Sequence, residues 1–151
     1  MIYIGADHRG FELKEELRQY LTKQGHGVED VGAFELNEGD DYVDFAKGVA
    51  EKVSENPSEN RGILLCGSGH GVDIVANKHK GIRAVLCWNK QVAKQSREHE
   101  DANVLVLPSD WISEHHAQEV IGAWLKTEFS GEERHVRRLE KIKELENDNY
   151  V

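Results

Sequence analysis

The chain has 151 residues, a formal net charge of -9, and 38% hydrophobic and 31% charged residues, which suits one globular domain with a sizeable core. The negative charge and the absence of any apolar run as long as a membrane span exclude nucleic acid and membrane from the expected partners. Only two cysteines occur, Cys66 and Cys87, and the N-terminus lacks a signal-peptide pattern, so the expected location is cytoplasmic.

Five short apolar runs recur along the chain, and each is mostly continuous rather than alternating with polar residues. Such runs are typical of strands buried on both faces of a parallel sheet. The predicted strands are Ile2–Gly5, Val28–Val31, Gly62–Cys66, Arg83–Cys87 and Val104–Leu107.

Amphipathic helical patterns lie between these runs. In the first of them, Leu13, Leu17 and Leu21 fall on one helical face. The alternation of strands and helices predicts an α/β fold, a three-layer αβα sandwich of Rossmann-like type around a five-stranded parallel sheet. The predicted helices are Phe11–Lys23, Tyr42–Ser54, a segment after Gly71, Asn89–Glu98, Ser113–Phe129 and Glu132–Tyr150.

The last helix differs from the others because it is strongly charged. Its few apolar positions recur every third residue, so it can lie on a neighbour or a partner subunit but cannot form a domain alone. We therefore expect residues 1–130 to form the Rossmann-like domain and residues 131–151 to add a docking helix to the same domain. The apolar positions are Val136, Leu139, Ile142 and Leu145.

A glycine-rich segment, Cys66-Gly67-Ser68-Gly69-His70-Gly71, follows the third strand and opens a helix. Its glycines let the backbone approach a ligand, and the helix start offers free N–H groups, which suits a phosphate or an enediolate. It matches neither the Walker A loop nor the dinucleotide fingerprint, and a plain strand–helix turn is the alternative. Cys66 would be a base or nucleophile there, or a buried structural cysteine, as we take Cys87 to be.

Other candidate groups are scattered along the chain. Asp7 and His8 end the first strand, where Asp7 would orient sugar hydroxyls or cap the next helix, and His8 would bind phosphate. His99 is a candidate acid–base group. Arg134 and Arg138 share one helical face and fit a phosphate, unless they merely pair with neighbouring glutamates. No spacing of His, Cys and carboxylates resembles a zinc site, so we expect no metal.

Taken in order, these motifs resemble ribose-5-phosphate isomerase B and its relatives, the galactose-6-phosphate isomerase subunits. The resemblance covers nearly the whole chain in the family's order. The matching stretches are Gly5–Lys14, Asp41–Ala46, Gly62–Gly69, Ala76–Lys78, Gly81–Ala84, Ser96–His99, Asp101–Leu105 and Arg134–Arg138.

The resemblance implies an aldose–ketose isomerase of the pentose phosphate pathway that needs no cofactor, with a sugar phosphate, foremost ribose 5-phosphate, as substrate. Cys66 would move a proton between C1 and C2, Ser68 would assist ring opening or hold the substrate, and His99 would open the furanose ring. Family members are homodimers, some of them tetramers, whose sites use both subunits. The implied substrate-binding residues are Asp7, His8, Gly67, Gly69, His70, Gly71, Asn77, Glu100, Asp110, Arg134 and Arg138.

Three acidic residues depart from the family pattern. Asp110 stands where relatives carry an arginine, Glu100 where they carry Asn, and Asp73 where they carry Ser. Because carboxylates oppose a phosphate dianion, the substrate would be another sugar, phosphorylated or not, or Lys80 or Lys94 would compensate. A catalytically silent sugar-phosphate-binding subunit is a further alternative, and a flavodoxin-like nucleotide-binding module fits the glycine loop less well.

Overall fold

The computed structural model describes residues 1–149, so Tyr150 and Val151, which end the predicted C-terminal helix and domain, lie outside the described residues. Strands and helices alternate from the start of the chain. The strands are β1 Ile2–Ala6, β2 Val28–Gly32, β3 Arg61–Cys66, β4 Ala84–Leu86 and β5 Val104–Pro108. The helices are α1 Phe11–Lys23, α2 Tyr42–Ser54, α3 His70–Ala76, α4 Lys90–Glu100, α5 Glu114–Lys126 and α6 Glu133–Asn149.

All five strands are parallel and lie in the order β2-β1-β3-β5-β4. The chain moves outward from β1 to β2 and then crosses to β3 on the other side of β1. Ligands of open parallel sheets bind beyond the carboxyl ends of the strands at such a reversal. We call that side the carboxyl end of the sheet, and the opposite side, where the strands begin, its amino end.

Helices cover both faces of the sheet, which confirms the predicted αβα sandwich. One core lies between the sheet and α1, α4 and α5, and the other between the sheet and α2 and α3. The first core contains Leu13, Leu17 and Leu21 of α1, all buried, as their four-residue spacing predicts. Both cysteines are free thiols and buried.

Three predicted element boundaries are shifted for identifiable reasons. The N–H of Arg83 donates to Asn103 Oδ1 at 2.8 Å rather than to a neighbouring strand, so β4 begins one residue later than predicted. Asn89 and Ser113 are helix caps instead of first helical residues, because their side chains accept the N–H of Val92 and of His116.

A fully buried lysine ties α1 to the end of β2. Lys14 Nζ donates to the Asp30 carboxylate at 2.7 Å and to the Ala33 carbonyl at 2.6 Å, and it also contacts Glu15 at 3.0 Å. A buried ammonium is tolerated only when it is paired and hydrogen-bonded in this way. These contacts of Lys14 fix the chain where it leaves the sheet for the loop of residues 34–41.

The C-terminal helix α6 packs against α4 and leaves most of its apolar positions in contact with solvent. Val136 is 36%, Ile142 40% and Leu145 61% exposed. Beside α6 lies a groove of about 700 Å³ that also includes Pro57 and Phe129 in its wall. Among the described residues, no helix has the length and apolar character that crossing a membrane requires.

Candidate active site

The glycine loop, residues 67–71, joins β3 to α3 at the carboxyl end of the sheet. Cys66 is the last residue of β3, and its sulfur accepts the N–H of Gly69 at 3.1 Å. Ser68 Oγ accepts the N–H of His70 at 3.2 Å, and His70 itself is exposed at the first position of α3. The thiol and the hydroxyl therefore lie on the same turn, each held by a backbone N–H.

Three glycines of this loop are each closely approached by another part of the molecule. Gly69 has a φ of 80°, and a Cβ there would lie 2.6 Å from Leu86. A Cβ on Gly71 would lie 2.5 Å from the ring of Tyr42. A Cβ on Gly67 would lie 2.7 Å from the guanidinium carbon of Arg9. The loop requires glycine because other side chains of the protein pack this closely against its backbone, and a close approach by a ligand stays a prediction.

Asp7 follows β1 and is buried beside the loop. Its Oδ1 accepts the N–H of Arg9 at 3.0 Å and of Gly10 at 3.2 Å, so Asp7 caps the turn that enters α1. Burial raises the pKa of the Asp7 carboxyl above its usual value. Asp7 thus holds the turn before α1 but is not the helix cap, since the N-cap is Gly10 without a side-chain cap, and a role toward sugar hydroxyls stays a prediction.

His8 lies next to Asp7 and pairs with a residue that the sequence did not single out. Its Nδ1 lies 2.8 Å from Asp40 Oδ1, which also accepts the His8 N–H at 3.0 Å. The hydrogen bond to Asp40 raises the pKa of the His8 imidazole and favours its cationic form. The two residues are 32 positions apart on different loops, so no local pattern pointed to Asp40.

One ligand atom each from Asp7, His8 and Asp40 lies within 4.8 Å of the others, a spacing that a metal ion could use. His8 Nδ1 and Asp40 Oδ1 are hydrogen-bonded to each other, and Asp7 Oδ1 accepts the N–H of Arg9. We assign no metal chemistry to this group.

Asp110 follows β5 and faces the glycine loop, since a Cβ on Gly67 would lie 2.8 Å from its Oδ2. Its carboxylate is neutralised by Arg9, whose guanidinium donates to Asp110 Oδ2, and not by Lys80 or Lys94. The Asp110 N–H also donates to the Gly67 carbonyl at 3.0 Å. The acidic departure therefore does not leave an uncompensated charge beside the loop.

His99 lies at the other end of the sheet. It is in the last turn of α4, which runs back to the start of β5, whereas Cys66 ends β3. Six residues of β3 separate the two ends, or about 20 Å at 3.3 Å per residue. Within one chain the structure does not bring His99 and Cys66 together.

A second cluster surrounds His99 at the amino end. The rings of His99 and His135 are stacked, with centroids 4.4 Å apart. His135 is buried, and this desolvation lowers the pKa of its imidazole. Arg134 and Arg138 extend from the same part of α6, and both are exposed, with Arg134 Nε 3.0 Å from Glu132.

The remaining predicted residues lie away from the thiol. Asn77 ends α3, where its side chain accepts the N–H of Ala84 at 2.9 Å and donates to Asp73 at 3.0 Å, so it connects α3 to β4. Burial raises the pKa of the Asp73 carboxyl. Glu100 is exposed next to His99 at the amino end, so Glu100 and Asp110 do not cluster within one chain.

Comparison with known proteins places this arrangement among sugar isomerases. Residues 2–142 match the family model described as Ribose/Galactose Isomerase. A probable ribose-5-phosphate isomerase B of Mycoplasma genitalium is 39% identical over 147 residues, which cover 97% of this chain and 96% of that protein. Ribose-5-phosphate isomerase B of Escherichia coli is 40% identical over 145 residues, covering 96% and 95%.

Solved structures agree with these sequence matches. The Mycoplasma genitalium ribose-5-phosphate isomerase B with bound ribulose-5-phosphate superposes with a TM-score of 0.94 at 39% identity, covering 97% of this chain and 95% of that one. The ribose-5-phosphate isomerase B of Clostridium thermocellum gives a TM-score of 0.93 at 44% identity, covering 98% of each chain.

Proposed function

The chain belongs to the ribose/galactose isomerase family, and on that premise we propose that it interconverts ribose 5-phosphate and ribulose 5-phosphate. The observation that carries the proposal is the pairing of a thiol with a backbone-lined loop at the carboxyl end of the sheet, where Cys66 adjoins Gly67–Gly71. The compensated charge of Asp110 supports a phosphorylated substrate over a free sugar.

In this mechanism Cys66, as the thiolate, takes the C2 proton of the open-chain aldose. The electron pair of that C–H bond forms the C1–C2 double bond of an enediolate, and the carbonyl oxygen at C1 becomes negatively charged. Backbone N–H groups of the glycine loop stabilise this charge, as preorganised donors do. The hydroxyl proton on the C2 oxygen then moves to the C1 oxygen. The electrons of the C1–C2 double bond take the carbon-bound proton back from Cys66 at C1, and the carbonyl forms at C2. Atoms and electrons balance within the substrate, so no metal or redox cofactor is required.

The first experiment follows ribose 5-phosphate by NMR with the wild type, Cys66→Ala and, as the matched control, Cys87→Ala. We expect conversion by the wild type and by Cys87→Ala, and a loss of at least about 10³-fold for Cys66→Ala because it lacks the base. A folded wild type that leaves ribose 5-phosphate unchanged would reject this substrate. The same assay would then be applied to other aldoses, and binding without turnover of any of them would favour the silent subunit.

The active site is built by two copies of the chain in this proposal. The thiol and the cluster of His99, Arg134 and Arg138 lie at opposite ends of one sheet, so a complete site needs the amino end of a second subunit. The exposed apolar positions of α6 and the groove beside it supply a surface on which such a subunit can dock. The expected assembly is a homodimer, or a tetramer of two such dimers.

Mixing inactive variants tests the shared site. Random exchange between Cys66→Ala and His99→Ala should recover about a quarter of wild-type activity, because half of the dimers are mixed and each has one intact site. The control mixes Cys66→Ala with the double variant Cys66→Ala/His99→Ala, which can form no intact site. If mixed dimers are present by mass spectrometry and no activity returns, the shared site is wrong.

The two cysteines bear on the compartment in which the protein works. Two free, buried thiols suit a reducing compartment, which supports the cytoplasm as its location.

Activity should also survive dialysis against EDTA, because no step uses a metal. Loss of activity on dialysis, restored by a divalent cation, would contradict this.

A further inference from the structure

One ion pair crosses the candidate site and is not explained by the isomerase chemistry. Arg9, after β1, donates to Asp110, after β5, and their side chains are 57% and 32% exposed. The two charged groups meet above Gly67, since a Cβ on this glycine would lie 2.7 Å from Arg9 Cζ and 2.8 Å from Asp110 Oδ2. The pair therefore lies against the first residue of the glycine loop, immediately after Cys66.

The backbone that carries the pair is firmly connected to the loop. The N–H of Ser109 donates to the Cys66 carbonyl at 2.9 Å, and the N–H of Asp110 to the Gly67 carbonyl at 3.0 Å. On the other side, the N–H of Arg9 donates to Asp7 at 3.0 Å. Both side chains thus start from fixed positions, and their mutual contact holds the guanidinium over Gly67 while part of the arginine side chain stays exposed.

An imidazole and a guanidinium, each held by a carboxylate, stand side by side at the end of β1. His8 is held by Asp40, which raises its pKa, and Arg9 is held by Asp110. A guanidinium has five N–H donors, and its contact with one carboxylate oxygen leaves others free. The Arg9 group can therefore accept a second anion without leaving Asp110.

We propose that Arg9 is a specificity-determining residue that binds the phosphate of the substrate, and that Asp110 is the positioning residue that holds its guanidinium over Gly67. This inference rests on the proposed function for the kind of ligand, a sugar phosphate. The guanidinium and a phosphate match in geometry as well as charge, because two N–H groups can reach two phosphate oxygens. Asp110 lowers the net attraction of the site for anions but fixes the position of the group that binds them.

The kinetic test compares Arg9→Met, Arg9→Lys and Asp110→Asn, with Arg18→Met as the matched control. Arg18 pairs with Glu15 on α1, away from the glycine loop. Arg9→Met should raise KM for ribose 5-phosphate about 10- to 100-fold, the effect of losing a charge-assisted hydrogen bond, and leave kcat within about twofold. Arg9→Lys should recover part of this loss, and Asp110→Asn should shift KM by less than Arg9→Met does.

A binding test with inorganic phosphate separates this inference from the proposed function. Phosphate should raise the Tm of the wild type and of Arg18→Met, and should raise that of Arg9→Met much less, because a ligand that binds only the folded state stabilises it. This readout holds even if ribose 5-phosphate is not the substrate. The inference is overturned if phosphate stabilises the wild type and Arg9→Met equally, if it stabilises neither, or if Arg9→Met lowers kcat with KM unchanged.

Discussion

The two ends of the sheet hold their functional groups in different ways. At the carboxyl end, Cys66, Gly67 and Gly69 are buried, and backbone hydrogen bonds connect Cys66 and Gly67 to the segment after β5. At the amino end, Arg134 and Arg138 project from a surface helix, and in the described part of that helix His135 is the buried residue. The carboxyl end thus fixes its groups as proton transfer requires, whereas the amino end presents exposed cations.

The two ends therefore suit different parts of the reaction, proton transfer and phosphate binding. Proton transfer at carbon needs a base placed to a fraction of an ångström, and strand ends provide such precision. Binding of a phosphate tolerates more freedom, so the arginines of α6 can add to the binding that we propose for Arg9 at the carboxyl end. Three comparisons test whether the two ends differ in this way.

The largest effect is expected from His99→Ala, which removes the acid–base group of the amino end. We expect kcat on ribose 5-phosphate to fall about 10²- to 10⁴-fold, the usual contribution of a general acid–base residue. Gln95→Ala, an exposed change on the same helix, should leave kcat unchanged. If His99→Ala keeps full activity, the amino end binds substrate without taking part in the chemistry.

A buried ion pair near the carboxyl end should matter more for stability than a surface cation at the amino end. Lys14→Met leaves the Asp30 carboxylate and the Ala33 carbonyl without their partner, so the free energy of unfolding should fall by about 3 kcal/mol or more. Arg138→Met should change it by less than about 0.5 kcal/mol. Urea unfolding measures both values, and similar losses in the two variants would contradict the contrast.

The smallest effects concern pH, and they should have opposite signs at the two ends. The pKa of His8 is raised by Asp40, so its contribution to stability is complete below the unfolded value of 6.5 and is lost as pH rises through the higher folded pKa. The pKa of His135 is lowered by burial, so the folded state loses stability as pH falls below 6.5.

NMR titration of the imidazole signals measures both shifts directly. His8→Gln should reduce stability at pH 6 more than at pH 8, while His135→Phe should remove part of the destabilisation that appears below pH 6.5. Shifts of the same sign for both residues would show that the two ends do not differ in electrostatic environment.

Much of the fold could be predicted from the sequence because its signals are local. The four-residue spacing of Leu13, Leu17 and Leu21 gave α1 with both bounds correct, and the bounds of α2 were equally correct. The order of the strands could not be predicted from periodicity, since it depends on contacts between distant segments. The predicted β4 was one residue too long at each end. At its start the N–H of Arg83 donates to the Asn103 side chain rather than to a neighbouring strand, but its end has no such explanation, because the Cys87 N–H donates to the Val106 carbonyl of β5.

The candidate site was predicted only in part, for the same reason. Cys66 and the glycine loop form one continuous motif, so the sequence contained them as a unit. The partners that hold the charged groups, Asp40 for His8 and Arg9 for Asp110, lie 32 and 101 residues away, and no spacing rule connects them. The separation of His99 from Cys66 likewise appears only when α4 is seen to end at the opposite side of the sheet.

The Arg9–Asp110 pair also makes the loss of either residue unequal in its consequences. Loss of Arg9 alone would leave a bare negative charge beside Gly67, against an anionic substrate. Loss of Asp110 alone would leave a cation there, which an anionic substrate tolerates. The chain can therefore dispense with the carboxylate more easily than with the arginine.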